Sequence, residues 1–388
     1  MENMTKKKFS LSIHKQIFFW ICLSVIVVMT PFLAVTGYFV YKKLNYSFEF
    51  GERFGVFDNE LGWTLKKNAS SYIRGRSLIT GETFFDSSVY TNDFGFRSQN
   101  SSEKLIPGGI VAIGDSWTFG YCVNYEETYP YFLEKVSNVP VTNLGVPAYG
   151  SGSTYGLFKR HVSKLQPKLV IYLTIGLWNR SLSTVYPPDY TDDVFSSDLR
   201  LIPYFYYDQK TDSGQIKFPN PGAVSNSINK GIYPGGSLTA GYNTFNYLWF
   251  VKVPQILSMT KTYLKKLSSP AYTQKTQKHE EHKINKILQY ELELYRDLSN
   301  LHQFKLLIID LSDQYTSVVE KFNKQHPENK IFFIGRKEFA KKVYTKGINI
   351  GLSPEEIRVP MDGHYGRGTN KLIAEMVFQK IKSLRINF

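Results

Sequence analysis

At 388 residues, 42% hydrophobic and 21% charged, the chain is long and apolar enough to bury a sizeable core, which excludes disorder of the whole chain. The formal net charge of +14 is spread thinly beyond Lys6, Lys7 and Lys8. No zinc-finger, homeodomain or RNA-binding signature accompanies it, so no nucleic-acid partner is expected. With only Cys22 and Cys122, a disulfide framework and a cysteine-rich metal site are excluded as well.

From Gln16 to Tyr41 there is no charged residue, and the run is long enough to cross a bilayer as a helix. The pattern predicts a transmembrane helix over residues 16–42 behind a basic tail, 1–15. Lys6, Lys7, Lys8 and Lys15 precede the run and Lys42 and Lys43 follow it, so the positive-inside bias favours a cytoplasmic N-terminus. The expectation is a single-pass protein with the lipid bilayer as a partner and its main domain extracytoplasmic, periplasmic or at the cell surface. A cleaved signal peptide is the rival, but Tyr38, Phe39, Val40 and Tyr41 run straight into Lys42 with no small-residue cleavage site.

Residues 43–106 read as a polar lead-in packed on the main domain. Its islands Asp58-Asn59-Glu60-Leu61-Gly62-Trp63 and Thr91-Asn92-Asp93-Phe94-Gly95-Phe96-Arg97 suggest turns and strand edges. The main domain, 107–388, opens with the apolar run Gly109 to Ile113, then a helix-compatible segment through Lys135. Val141–Leu144 and Leu169–Ile175 follow as strands around a helix at Tyr155–Leu165. Ile284–Leu298 has helical periodicity, Lys305–Asp310 reads as a strand and Asn370–Leu384 as the closing helix. Such alternation predicts an α/β class fold, a three-layer α/β/α domain with a mostly parallel sheet. Between about 181 and 278 the rhythm is lost; Pro187, Pro188, Pro203, Pro219, Pro221 and Pro234 and the run Tyr204-Phe205-Tyr206-Tyr207 mark an insertion that covers the site or binds an acceptor.

Two short blocks can carry chemistry. In Ile113-Gly114-Asp115-Ser116-Trp117 an apolar strand delivers a serine to a helix start, where unpaired backbone N–H groups favour a forming oxyanion. Read alone, Ser116 would simply cap the helix. In Asp362-Gly363-His364, an Asp two residues before a His can orient the imidazole through one ring nitrogen while the other faces a serine. Read alone, it is a surface turn. His279 and His282 could share a helix face, but no third metal ligand is evident and a solvated helix start is the better reading. No Gly-x-Ser-x-Gly elbow is present.

Ser116, Gly145 in Asn143-Leu144-Gly145, Asn179 in Leu177-Trp178-Asn179-Arg180, and His364 stand in an order that resembles the SGNH (GDSL-type) hydrolase superfamily. The resemblance covers about Pro107 to Phe388 apart from the insertion. The islands at Gly62-Trp63 and Gly95-Phe96-Arg97 look like those of its membrane-anchored bacterial esterase and O-acyltransferase branch. It implies Ser116 as nucleophile, His364 as general base and Asp362 holding its tautomer. The implied oxyanion hole uses the Ser116 and Gly145 N–H groups and the Asn179 side chain. Two departures are visible: Asn179 is followed by Arg180 rather than Asp, and Asp362 precedes His364 by two residues rather than three. The implied activity is that of a membrane-anchored serine esterase or O-acyltransferase forming an acyl-serine on ester-linked short acyl groups of an extracytoplasmic glycan. No cofactor or metal is implied, and a membrane protein that donates acyl groups is a further candidate partner. The alternative is a non-catalytic glycan-binding or polysaccharide-assembly protein on the same fold.

Overall fold

A computed structural model describes residues 47–177, 179–182, 202–218, 270–360, 362–386 and 388, with 15–21, 23, 24, 30 and 37. The side chains of 57, 179, 180 and 270–277 lie outside that description, as do Cys22 and most of the expected insertion, 183–201 and 219–269.

The expected membrane anchor is corrected. Among the described residues no helix is long and apolar enough to cross a membrane. A span needs about 20 consecutive apolar residues, whereas the longest described helical piece of that stretch is 15–21 and the rest of it lies largely outside the described residues. The transmembrane helix, the single-pass topology, the extracytoplasmic placement, the bilayer as partner and the assignment to a membrane-anchored branch are withdrawn on that finding.

The strands, in chain order, are β1 (Ser47–Phe50), β2 (Gly55–Asp58), β3 (Gly62–Leu65), β4 (Ser70–Arg76), β5 (Thr83–Thr91), β6 (Arg97–Ser98), β7 (Ile110–Gly114), β8 (Val141–Gly145), β9 (Leu169–Thr174), β10 (Tyr204–Asp208), β11 (Ser213–Lys217), β12 (Lys305–Asp310) and β13 (Phe332–Ile334). The helices used below are α1 (Ser116–Phe119), α2 (Tyr129–Ser137), α3 (Ser151–Leu165), α4 (Asn179–Leu182), α5 (Pro270–His302), α6 (Thr316–Gln325), α7 (Pro354–Ile357) and α8 (Arg367–Ser383). The chain divides into two compact units. One comprises residues 1–49 and 74–84, the other 50–73 and 85–388. In the smaller unit Arg76 Nε pairs with Glu49 at 2.7 Å, and a turn closes where Ser77 N donates to Glu82 O at 2.9 Å.

In the larger unit the sheet order is β5-β6-β8-β7-β9-β12-β13. From β8 to β13 all neighbours are parallel, while β5/β6 and β6/β8 are antiparallel. The expected mostly parallel sheet is therefore corrected to a mixed one, because the lead-in contributes strands of opposite direction at one side. Each central strand reads as a continuous apolar run because both its faces are covered. In β7, Val111 and Ile113 enter one core cluster with Tyr155, Phe158 and Leu292, and Ile110 and Ala112 enter another with Tyr129, Leu372 and Val377. Helices α3 and α5 thus cover one face and α2 and α8 the other. Tyr149 ties residues 62–65 to this unit by donating its buried hydroxyl to Trp63 O at 2.5 Å, and Arg160 grips Asp58 at 2.6 and 2.9 Å.

The helix expected from Ser116 through Lys135 is broken. Gly120, at φ 78°, ends α1 in the left-handed region, and α2 starts only after Thr128 caps it. The run at 204–207 pairs with β11 as a hairpin; Phe205 is fully buried and Tyr206 exposed.

Candidate active site

β7 aims the nucleophile candidate. Fully buried between β8 and β9, it brings Gly114 opposite Gly145, and the chain turns at once into α1. Asp115 caps that helix: its carboxylate accepts from Trp117 N at 3.0 Å. The turn is possible only without side chains at two positions. A Cβ on Gly114 would lie 2.3 Å from Thr118 Oγ1 and 2.7 Å from Leu173 O, and one on Gly145 would lie 2.1 Å from Phe119 N. Asn143, 1% exposed, laces the same corner, its Nδ2 donating to Thr118 O and its Oδ1 accepting from Gly145 N, each at 2.9 Å.

The base candidate comes from the loop between α7 and α8. Val359 N donates to His364 O at 2.8 Å, Gly363 N to Val359 O at 3.0 Å and Gly366 N to Ile357 O at 3.2 Å, so the loop is a tight reversal with Arg358 and Tyr365 bridged antiparallel. Gly363, φ 89°, supplies the positive dihedral between Asp362 and His364.

The two segments meet. His364 Nε2 lies 2.7 Å from Ser116 Oγ, across 248 positions of sequence, and His364 Nδ1 is hydrogen-bonded to Asp362 Oδ2. An ionised carboxylate can only accept, so Nδ1 carries the proton and Nε2 is left to accept from the serine hydroxyl. The Asp362 carboxylate also accepts from His364 N at 3.1 Å, fixing the side chain to its own loop. Trp117 and Tyr121 flank the imidazole with ring centroids 4.8 and 5.2 Å away. Behind it, burial pushes the Tyr365 hydroxyl well above its ordinary pKa, so it stays a neutral donor or acceptor.

Three of the five residues expected from sequence, Ser116, Asp362 and His364, are thus one hydrogen-bonded chain. Gly145 lies at the same strand ends, but its N–H is engaged by Asn143 Oδ1. Asn179 begins α4; its side chain lies outside the described residues. Two residues before it, Leu177 N donates to Gln314 Oε1 at 2.7 Å. Asn143 and Gln314 were not picked out by sequence. Asn143 sits in the Asn143-Leu144-Gly145 block, where a polar residue inside an otherwise buried strand was the available signal; Gln314 gave none.

Near Gln314 a cavity of about 810 Å³ opens beside α5, lined by Glu281, Ile284, Asn285, Asp313, Gln314 and Ser317; no triad residue lines it. Cys122 is buried. His282 is held by Asp212 at 2.9 Å, and among the described residues no cluster of three His, Cys, Asp or Glu side chains is placed to hold a metal.

No family model matches the sequence, and no curated protein matches it. Solved structures do. A protein described as lipolytic and of the G-D-S-L family, from Desulfitobacterium hafniense, is 14% identical over 71% of this chain and 99% of that chain, with a TM-score of 0.33. A psychrotrophic esterase from Pseudoalteromonas sp., inhibited by monoethylphosphonate, is 10% identical over 73% of this chain and 100% of that one, with a TM-score of 0.33. A protein described as an acylhydrolase, from Bacteroides fragilis, is 13% identical over 72% of this chain and 92% of that one, with a TM-score of 0.30. Their names describe them as a lipolytic protein, an esterase and an acylhydrolase; the chemistry below rests on this chain's own side chains.

Proposed function

We propose that this chain is a serine hydrolase that cleaves carboxylic esters through an acyl-Ser116 intermediate. One observation carries the reading: the 2.7 Å approach of His364 Nε2 to Ser116 Oγ, with Asp362 on the opposite ring nitrogen. A serine hydroxyl is a weak nucleophile until a base within hydrogen-bond reach takes its proton, and the base must present an unprotonated nitrogen to do so.

As Ser116 Oγ attacks the ester carbonyl, its proton passes to His364 Nε2, and Asp362 stabilises the imidazolium and keeps the ring in place. Collapse of the tetrahedral intermediate expels the alcohol, which takes the proton from Nε2 and leaves Ser116 acylated. Water then attacks the acyl carbon, its proton passing to Nε2. The acid departs and Oγ recovers the proton. The developing oxyanion needs preorganised donors. Ser116 N–H, at the start of α1, is the first donor we assign. Gly145 N–H serves only if it shares or leaves its bond to Asn143 Oδ1, which ranks it second. The Asn179 side chain remains the third candidate.

The test is labelling of the full-length protein with a fluorophosphonate, followed by peptide mapping. Label on Ser116, abolished in Ser116→Ala and in His364→Ala, is the expected result. Label elsewhere, or turnover of p-nitrophenyl acetate that survives Ser116→Ala, overturns the reading.

A further inference from the structure

Arg358 belongs to none of the family blocks, yet it touches both segments that build the triad. It follows α7 in extended conformation (φ −142°, ψ 140°) and opens the loop that carries Asp362 and His364. Its guanidinium reaches across that loop: Nη1 donates to Gly363 O at 2.5 Å, the carbonyl between the acid and the base, and Nη2 donates to Tyr344 Oη at 2.9 Å. Tyr344 in turn donates to Tyr365 Oη at 3.2 Å. The flat cation is enclosed by rings, with its carbon 5.3 Å from the Trp117 centroid, 5.6 Å from that of Tyr344 and 5.3 Å from that of Tyr365. Trp117 is the residue after Ser116, and its ring lies against both His364 and Tyr365, with centroids 4.8 and 4.3 Å away.

We infer that Arg358 is a positioning residue that locks the loop bearing His364 and Asp362 onto the helix turn bearing Ser116; this rests on the esterase reading above. The chemistry suits arginine and not lysine. Two acceptors in different directions and three ring faces call for a planar fork with a delocalised charge, while an ammonium satisfies one acceptor at a time and is more strongly hydrated. The partners are a carbonyl, a hydroxyl and aromatic faces, so the cation holds the loop without placing a second carboxylate beside Asp362 to compete for the imidazole. Without that grip, the carbonyl between Asp362 and His364 loses a charge-assisted bond, and the ring wall between His364 and α1 loses its centre.

The experiment uses full-length Arg358→Met and Arg358→Lys with p-nitrophenyl acetate as probe, together with the imidazole N–H resonance of His364 in 15N-labelled protein. A misplacement on the order of 1 Å costs about 100-fold in rate. We therefore expect kcat to fall about 10- to 100-fold in Arg358→Met. Arg358→Lys should recover little, KM should stay within about twofold, and free guanidinium should partly rescue Arg358→Met. The His364 Nδ1–H resonance should shift or broaden in both variants. Unchanged kcat, a loss confined to KM, or an unmoved His364 resonance overturns the assignment. Should Arg358→Met fail to fold, Arg358→Lys decides by the same measurements. Should the wild type show no Ser116-dependent turnover, the esterase reading falls, and the resonance still decides whether Arg358 positions the loop.

Discussion

The turn that carries Ser116 and the loop that carries His364 face each other across 2.7 Å, but they are built from different materials. Around Ser116 the constraint is backbone against backbone: a buried central strand, glycines that leave no room for a Cβ, and Asn143 stitching Thr118 O to Gly145 N. Around His364 the constraint is side-chain chemistry: a guanidinium on a carbonyl, three aromatic rings and a largely buried carboxylate. A nucleophile must hold one position against a forming bond, and the sheet supplies that stiffness. The proposed base must stay in register with Ser116, and around it that hold comes from side-chain contacts rather than from a sheet.

The sharpest way to break the comparison is from the loop side. Asp362→Asn keeps the shape but gives the ring an amide that can donate, which favours the wrong tautomer; loss of about 10³–10⁴-fold in kcat is expected, with little change in melting temperature. Steady-state kinetics beside a thermal melt check it, and a loss below tenfold would mean that Asp362 does not set the proton on Nδ1.

From the sheet side, Gly145→Ala should act through structure first. Its Cβ would lie 2.1 Å from Phe119 N, so α1 must move. Overpacking of this kind costs about 1–3 kcal/mol. Slower fluorophosphonate labelling should accompany that loss, while the His364 resonance stays near its wild-type position. Asn143→Ala should show the same pattern at a comparable cost, about 1–3 kcal/mol for its unsatisfied buried partners. If either variant moves the His364 resonance as far as Arg358→Met does, the two halves are not held independently.

The smallest expected effect on turnover comes from Glu291, on α5 behind the sheet. Burial pushes its carboxyl up from 4.5 to about 7, opposed by the Tyr315 hydroxyl, which donates to it at 2.7 Å. A folded-state pKa above the unfolded value means that the native protein binds the proton more tightly. Stability is therefore fully present below 4.5 and is lost as pH rises through about 7. The loss across that window is about 3 kcal/mol. Glu291→Gln should flatten the pH dependence of the denaturation midpoint and leave kcat near wild type; a pH-independent offset between the two proteins would rule out Glu291 as the titrating group.

Sequence was most informative where one strand or one turn decides the outcome. The run Ile110 to Gly114 is apolar throughout because both faces are covered, and Lys305–Asp310 was bounded correctly for the same reason. Asp362-Gly363-His364 could be read as a unit because its contacts are local. The strands of the lead-in were harder to see: β2, β3 and β6 are four residues or fewer, too short for a period to register. Arg358 was silent because Trp117 and Tyr344 lie far from it in sequence. The apolar stretch at 16–42 misled most, since composition alone made a membrane span of residues among which no described helix is long enough to be one.

The 248 positions between Ser116 and His364 also bear on when the site exists. A growing chain has made the sequence of β7, β8 and β9, with Ser116, long before the proposed base. It stays chemically silent through that interval, because a serine without a proton acceptor is only a hydroxyl. In the proposed reaction the serine gains its base only once the loop after α7 lies against Trp117. In the proposed reaction a fragment that stops short of Asp362 has no base for Ser116, and it also lacks α8, whose Leu372, Ile373 and Val377 fill one face of the core.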